Sequence, residues 1–334
     1  MTKKILNIVL HVYRGNNGEK LAARYLEIFI NLLEGEHIPK RLFIFFYEFP
    51  KNEEKKVISL FAGITCSVTE AKYVFSDKCF SEVPTLKEAK GICYGSENED
   101  LLLYFHSKGA SYKNQENFIN WSEYAISTLA AAVKIVWFHP FLIDRYYAIG
   151  SFAGVGVFER YGTMTPAFSG NFWLTKATRF CFIDIKTNWF SNSYHNRHYA
   201  EALLAKEISA EKLLNLEDNY YLRSISKPNT KEIFNKVCKE LLELNSASEE
   251  ELNYIDNYMS YTYKGLVEQQ ERYSSNRFFW GLRKFCFGNQ SVLRFFPSIS
   301  KIMDQLSPWL QCELYRHYNG SKQVDILRNI RAAK

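Results

Sequence analysis

The feature that most constrains the fold is a short apolar run that ends abruptly in a polar cluster. Residues 101–105 (Leu-Leu-Leu-Tyr-Phe) carry no charge, and His106-Ser107-Lys108-Gly109 follows at once. A run of this length, rich in leucine and aromatic residues and ended by small polar residues, predicts a buried central strand. In open α/β sheets, ligands bind beyond the carboxyl ends of the strands. We therefore expect His106, Ser107 and Lys108 to line a binding crevice, with Gly109 turning the backbone away.

A second polar cluster lies further along the chain. Ser169-Gly170-Asn171 is set between Phe168 and the aromatic pair Phe172-Trp173. We interpret the two clusters as opposite walls of one site. Asn171 could form paired hydrogen bonds with a sugar, and Trp173 could offer a ring for stacking. The alternative, in which this turn simply fills the core, stays open.

Strands and helices alternate through the first two thirds of the chain. Apolar runs predict strands at 5–13 and 41–47 and a short strand at 64–68, and helical spacing predicts helices at 19–33, 53–61, 86–94 and 117–138. This alternation predicts an α/β fold in which a mostly parallel, twisted sheet is flanked by helices.

Beyond Pro228 the strands stop and the chain becomes helical. Helices are predicted at 230–244 and at about 248–273, the second with Ser248 as its N-cap. We therefore divide the chain into an α/β domain at residues 1–227 and a helical C-terminal region at residues 228–334.

Charge and cysteine content narrow the function classes. The net charge of +6 and the pI of about 8.7 suit anionic ligands or anionic lipid. The basic residues form no stripe with a recognisable binding motif, so we do not expect a nucleic-acid partner. The seven cysteines are scattered and include no CxxC pair, which predicts reduced thiols and no zinc site. No signal-peptide core and no apolar window of about 20 residues occur, so we predict a cytoplasmic protein.

The segment at residues 277–301 has an unusual composition. Bulky aromatic residues and leucines alternate with Arg277, Arg283, Lys284, Arg294 and Lys301, and no acidic residue occurs among them. Basic and aromatic residues together are typical of interfacial membrane anchors. We expect peripheral association with the inner face of the cytoplasmic membrane. A helix packed on the α/β domain, with its basic residues solvated, is the alternative.

One chemistry that fits these residues is glycosyl transfer from a nucleotide sugar. It requires that the leaving diphosphate be neutralised, the acceptor hydroxyl lose a proton and the sugar be oriented. Many such enzymes use a metal ion held by an Asp-x-Asp motif, which this sequence lacks. His106 and Lys108 stand where that motif would be expected and can offset the charge directly. We therefore predict no cofactor and no motif-bound metal, with a divalent metal as the alternative; His106 could also be a purely structural hydrogen-bonding residue.

Other candidates flank these clusters. His11, Tyr13 and Arg14 end the first strand, and their position alone suggests contact with the nucleotide, because the following Gly- and Asn-rich loop fits no dinucleotide or P-loop pattern. Glu201 is the candidate general base, with Arg197 one helical turn away to hold it. A surface ion pair between these two residues is the alternative, and Asp144 and Asp184 are other candidate bases.

The ordered set of motifs resembles a family of bacterial glycosyltransferases of polysaccharide, capsule and lipopolysaccharide biosynthesis. The resemblance spans residues 5–201 and rests on the segments Tyr104-Phe105-His106-Ser107-Lys108-Gly109, Trp121, Ser169-Gly170-Asn171-Phe172-Trp173, Arg197 and Glu201. It implies a GT-A-like fold in which residues 1–227 bind a nucleotide-sugar donor and transfer the sugar to a glycan or lipid-linked glycan. The site residues it implies are His106, Lys108, Gly109, Gly170, Asn171, Trp173 and Glu201.

One position departs from the resemblance, and two other functions are alternatives to glycosyl transfer. Leu174 stands where a second aromatic residue would be expected after Trp173, which affects the shape of the acceptor side. A transferase of phosphate-containing groups onto glycans could use the same His and Lys residues. A non-catalytic module that binds glycan or lipid would need the tail at 277–301 but not the residues of the polar clusters.

Overall fold

The computed structural model describes residues 4–15, 17–76, 82–107, 116–151, 153–158, 163–168, 171–185, 203, 212–216, 227–274 and 322–333. These residues form an α/β fold with a mostly parallel sheet flanked by helices, as the sequence predicts. The strands are β1 (Leu6–Tyr13), β2 (Lys40–Tyr47), β3 (Glu70–Ser76), β4 (Leu101–His106), β5 (Ala148–Gly150), β6 (Ala153–Phe158), β7 (Thr163–Phe168), β8 (Trp173–Lys176) and β9 (Leu213–Asn215).

Helices connect and cover these strands. They are α1 (Gly18–Leu32), α2 (Glu54–Ser59), α3 (Ala62–Thr65), α4 (Val83–Cys93), α5 (Glu116–Phe138), α6 (Phe141–Arg145), α7 (Ala177–Phe180), α8 (Thr230–Asn245), α9 (Glu249–Ser274) and α10 (Gln323–Ala333), with a short 3₁₀ turn at Lys51–Glu53 before α2. Among the described residues, no helix combines the length and the apolar character needed to cross a membrane.

The main sheet has seven strands in the order β3-β2-β1-β4-β8-β5-β9, and β6 and β7 form a separate antiparallel pair. Strands β1, β2, β3 and β4 run parallel, whereas β8 is antiparallel to both β4 and β5. The carboxyl ends of β1, β2 and β4 therefore meet the beginning of β8 at one edge of the sheet. This edge is where an α/β fold binds its ligands.

The central strands are buried on both faces, which explains why most of their residues are apolar. Successive side chains of a strand point to opposite faces. In β4, Leu101, Leu103 and Phe105 therefore pack with helices α1 and α5 in the larger hydrophobic cluster. Leu102 and Tyr104 pack on the opposite face, in the smaller cluster that includes α4 and α7. His106 follows Tyr104 on that second face.

The strand predicted at residues 64–68 is wrong, because these residues end helix α3 and form the turn after it. The amide of Thr65 donates to the carbonyl of Phe61 over 2.9 Å, which closes a helical turn. The strand is instead β3, at the edge of the sheet, where the side chains of Glu70 and Lys72 are exposed. An edge strand needs few apolar residues, so its sequence signal is weak.

The predicted start of the second C-terminal helix is confirmed by a capping box. The hydroxyl of Ser248 accepts a hydrogen bond from the amide of Glu251 over 3.2 Å, and the carboxylate of Glu251 accepts one from the amide of Ser248 over 2.8 Å. This reciprocal pair satisfies two amides that a helix start leaves unbonded. Helix α8 packs on α5 and contributes to the larger hydrophobic cluster. The division at residue 227 stays a prediction.

Helix α10 covers one end of the sheet. The side-chain amide of Gln323 accepts from the backbone amide of Asn215 over 3.1 Å and donates to the carbonyl of Leu213 over 2.7 Å. These are the bonds that a further strand would make with β9, so Gln323 completes the hydrogen bonding of an edge strand.

Candidate active site

Polar side chains from several strands gather at the carboxyl edge of the sheet. His11 of β1 faces His106 of β4, and Trp173 of β8 faces Tyr104 of β4. Helix α4 begins at the same edge because it follows the parallel strand β3. The start of α4 thus supplies Glu82 to a cluster that the strands have assembled.

Glu82 is the centre of this cluster. It is 5% exposed, and its carboxylate oxygens accept from three side chains. The Nδ1 atom of His106 lies 3.1 Å from Oε1, while the Tyr104 hydroxyl and the Asn171 amide donate to Oε2 over 2.8 and 2.7 Å. One carboxylate therefore connects His106 of the first polar cluster with Asn171 of the second.

Electrostatics keep Glu82 ionised. Burial alone raises the pKa of a carboxyl group. In Glu82 the charge and the hydrogen bond of His106 outweigh the effect of burial and lower the pKa to about 2. Near neutral pH, the cluster therefore contains a buried carboxylate surrounded by donors.

His106 has one ring nitrogen bonded and one without a partner. Its Nδ1 faces the Glu82 carboxylate, and the Phe172 ring forms a T-shaped contact with the imidazole, with the centroids 5.5 Å apart. Its Nε2 is buried and has no hydrogen-bond partner among the described residues. Leaving such an atom unsatisfied costs about 1–3 kcal/mol. Because Nδ1 donates to the carboxylate, Nε2 is the ring atom available for a ligand.

His11 is built into the protein interior. Its ring stacks on Tyr47 with the centroids 4.8 Å apart, and its Nδ1 lies 2.8 Å from the hydroxyl of Thr85, which in turn lies 3.0 Å from the Tyr47 hydroxyl. Burial lowers the pKa of His11 to about 4. His11 is therefore neutral near pH 7 and contributes no positive charge beside His106.

The other predicted residues at the ends of β1 and β4 differ in their surroundings. The hydroxyl of Ser107 accepts from the amide of Tyr13 over 3.0 Å, and the amide of Ser107 donates to the carbonyl of His11 over 3.0 Å. Ser107 thus joins the ends of the two strands. Arg14 lies at the rim, where its half-exposed guanidinium pairs with Glu53 at 2.8 Å.

Asn171 adopts a backbone conformation that suits its position in the turn. Its φ of 58° lies in the left-handed region, which asparagine tolerates better than most residues. Its backbone amide donates to the carbonyl of Phe168 over 2.9 Å, and its side-chain oxygen accepts from the indole of Trp173 over 2.6 Å. Backbone and side chain together fix the Asn171 amide against Glu82.

Trp173 is part of the core. It is 1% exposed, and its ring packs against Tyr104 and Phe180 with centroid distances of 5.1 and 5.2 Å. This packing favours the alternative in which the turn fills the core. Sugar stacking on Trp173 stays a prediction that would require the ring to be uncovered.

Several predicted residues lie outside the described part of the chain, namely Lys108, Gly109, Ser169, Gly170, Arg197 and Glu201. Of the alternative bases, Asp144 pairs with Lys176, which faces Leu101 at the opposite edge of the sheet from His106. Asp144 is therefore not a member of the cluster around Glu82.

Sequence reasoning missed Glu82, Thr85, Tyr47 and the bonding role of Tyr104. A signal for the first two was present, because Pro84 marks the first turn of a helix and places Glu82 at its start. A helix that follows a parallel strand begins at the carboxyl edge of the sheet. Sequence spacing does not indicate that this particular carboxylate reaches both polar clusters.

Within the described ranges, no group of three or more His, Cys, Asp or Glu side chains could hold a metal ion. A metal-independent mechanism stays a prediction. The sequence matches no protein-family model, and no curated protein is significantly similar to it. The resemblance to glycosyltransferases therefore rests on the motifs alone.

Proposed function

We propose that the protein is a glycosyltransferase. It moves a sugar from a nucleotide-sugar donor to a glycan or lipid-linked glycan acceptor in the biosynthesis of a bacterial surface polysaccharide, such as capsule, O-antigen or lipopolysaccharide. The observation that carries the proposal is His106, which lies at the ligand-binding edge of the sheet with Nδ1 held by Glu82 and Nε2 buried and unpartnered. The α/β sheet is consistent with the GT-A-like fold that the motifs imply.

His106 and Lys108 can offset the charge of the departing nucleotide. With its Nδ1–H held on Glu82, His106 contacts a phosphate oxygen through Nε2 by taking up a proton there, and the Lys108 ammonium acts as a point charge beside it. Arg14 at the rim is a further cation within this edge of the fold. Since the sequence contains no Asp-x-Asp motif, these side chains take the place of a motif-bound metal ion. Glu201, supported by Arg197, removes the proton of the acceptor hydroxyl.

Release of the nucleotide from the donor, a diphosphate from UDP- and GDP-sugars and CMP from CMP-sugars, tests this proposal. The full-length protein is incubated with UDP-, GDP- and CMP-sugars, and free nucleotide is measured with and without EDTA. We expect turnover of one donor class that EDTA does not abolish and that His106→Ala reduces by about 100-fold or more. His139→Ala is the matched control because His139 is exposed at the end of α5. Equal turnover in His106→Ala and the wild type would refute the assigned role of His106.

The proposed acceptor places the enzyme at the inner face of the cytoplasmic membrane, with residues 277–301 as the contact. Each basic residue near an anionic membrane contributes about 1 kcal/mol of binding. In sedimentation with vesicles that contain phosphatidylserine, Arg283→Glu/Lys284→Glu should lose binding. The control Lys55→Glu/Lys56→Glu changes two exposed residues of α2 by the same charge and should bind like the wild type. Equal loss in both double variants would indicate an unspecific charge effect and contradict the proposed contact.

A further inference from the structure

We infer that Glu82 is a positioning residue that fixes the His106 ring with Nδ1–H on its carboxylate and Nε2 turned to the ligand. The kinetic part of this inference rests on the proposed glycosyl transfer. The structural part, which concerns the orientation and the tautomer of His106, does not depend on the reaction. Glu82 acts through His106, so it is not itself a catalytic residue.

The geometry leaves the His106 ring little freedom. Glu82 Oε1 lies 3.1 Å from Nδ1, and Glu82 itself is held at Oε2 by the Tyr104 hydroxyl and the Asn171 amide. The four side chains are at most 9% exposed. A flipped ring would place a carbon atom against the carboxylate and lose the Nδ1 bond. The carboxylate therefore selects one ring orientation.

The unpartnered Nε2 atom distinguishes this arrangement from a purely structural one. A histidine that only stabilises the fold is expected to bond through both ring nitrogens when it is buried. Here the surrounding groups satisfy Nδ1 and leave Nε2 without a partner among the described residues. A buried ion pair adds little net stability over an apolar pair of the same shape. The arrangement is therefore better explained by what it presents at Nε2.

Glu82 also connects the two walls of the proposed site. The Asn171 side chain donates to Glu82 with its nitrogen and accepts from Trp173 with its oxygen. Replacing the carboxylate by an amide would place an NH₂ group against either the His106 N–H or the Asn171 NH₂ group. Whichever way the new amide turns, one of these contacts is lost. Glu82→Gln can therefore keep the bond to His106, whereas Glu82→Leu, whose side chain has no acceptor, loses both contacts.

The experiment uses the full-length protein with ¹⁵N-labelled histidine. Long-range ¹H–¹⁵N correlation spectra distinguish a ring that carries its proton on Nδ1 from one that exchanges between tautomers. We expect a fixed Nδ1–H for His106 in the wild type, assigned by the loss of its signals in His106→Ala. In Glu82→Leu, which offers no acceptor, this signature should be lost, and in Glu82→Asp it should be partly retained.

Kinetics with the donor supply a second measurement. We expect Glu82→Leu to lower kcat by about 10- to 100-fold, the range found for carboxylates that orient metal-ligating histidines. KM should change by less than about 3-fold, because Glu82 is buried and acts on the donor only through His106 in this proposal. Glu240→Leu is the matched control, since Glu240 is also a buried carboxylate, paired with Lys322 at 2.8 Å on helix α8. It should retain the His106 signature and the kcat of the wild type.

The outcomes separate this inference from the proposed function. If Glu82→Leu keeps the Nδ1–H signature, the positioning role is refuted whatever the kinetics show. If the signature is lost but no nucleotide sugar is turned over by the wild type, the positioning role stands and the glycosyltransferase proposal fails. Loss of kcat without loss of the signature would assign Glu82 a role other than positioning His106 and would also refute the inference.

Discussion

Gly150 at the end of β5 determines how closely the turn before β8 can approach the sheet. A Cβ atom added at this residue would lie 2.6 Å from Cδ1 and 2.7 Å from Cγ of Phe168, and 2.7 Å from the carbonyl oxygen of Phe172. Phe168 is 2% exposed and Phe172 is fully buried. Neither group has free space to move into, and one of the contacts is with the backbone.

Gly150→Ala should therefore destabilise the protein by overpacking. Extra methyl groups in a well-packed core cost about 1–3 kcal/mol, and the backbone contact argues for the upper half of that range. Phe168 and Phe172 must shift to admit the methyl group. Asn171 directly precedes Phe172 and donates to Glu82, so the shift should also loosen the Asn171–Glu82 contact. A loss of both stability and nucleotide binding is expected.

Urea unfolding followed by circular dichroism measures the change in stability. The control is Gly91→Ala in helix α4, where an added Cβ meets nothing within 4 Å. In a helix, alanine is more favourable than glycine by about 0.5–1 kcal/mol, so this control should be neutral or stabilising. If Gly150→Ala unfolds at the same urea concentration as the wild type, the packing of the 168–172 turn on Gly150 is wrong.

Three further predictions concern single groups. Burial lowers the pKa of His11 to about 4, so its contribution of about 3 kcal/mol to the free energy of unfolding is fully present above pH 6.5 and is lost as the pH falls towards 4. Between pH 7 and pH 5 the free energy of unfolding should fall less in His11→Phe than in the wild type or His139→Ala, and equal falls would contradict this. The pKa of Glu82 is lowered to about 2, so its contribution to the free energy of unfolding is present above about pH 4.3 and is lost as the pH falls towards 2. Between these pH values the acid unfolding of Glu82→Gln should depend less on pH than that of Glu240→Gln, and identical curves would refute this prediction. Ser248→Ala should lower the free energy of unfolding, measured in urea, by about 1 kcal/mol because helix α9 loses its N-cap, whereas Ser248→Asp should retain most of the stability of the wild type. No loss of stability in the alanine variant would contradict the capping box.

The part of the fold that the sequence predicts well is the part with the strongest burial. Strands β1, β2 and β4 are buried on both faces, so most of their residues are apolar. The prediction for the edge strand β3 is wrong because none of its residues is fully buried, so its sequence is not a continuous apolar run. Strand β9 (Leu213–Asn215) is too short to give a pattern, and it depends on Gln323, far along the chain, for part of its hydrogen bonding.

The candidate site could be predicted only in part. Two polar clusters at strand ends indicated that His106 and Asn171 belong to one edge of the sheet, and the structure brings them to the same carboxylate. That carboxylate comes from the start of a helix, and sequence spacing does not report how far a helix start reaches across a sheet. The packing of Trp173 between Tyr104 and Phe180 likewise depends on contacts between distant segments.

The most direct test of the central claim is nucleotide binding at the carboxyl edge of the sheet, measured by thermal shift of the purified protein. UDP, GDP, CMP and their sugars are added in turn, each with Mn²⁺ or with EDTA. At a ligand concentration of 100 times Kd, binding stabilises the folded state by about 2.7 kcal/mol. We expect stabilisation by one nucleotide class that EDTA leaves unchanged and that is lost in both His106→Ala and Lys108→Ala. Stabilisation that requires Mn²⁺ would contradict the charge-neutralising role of His106 and Lys108, and no response to any nucleotide would contradict the glycosyltransferase proposal.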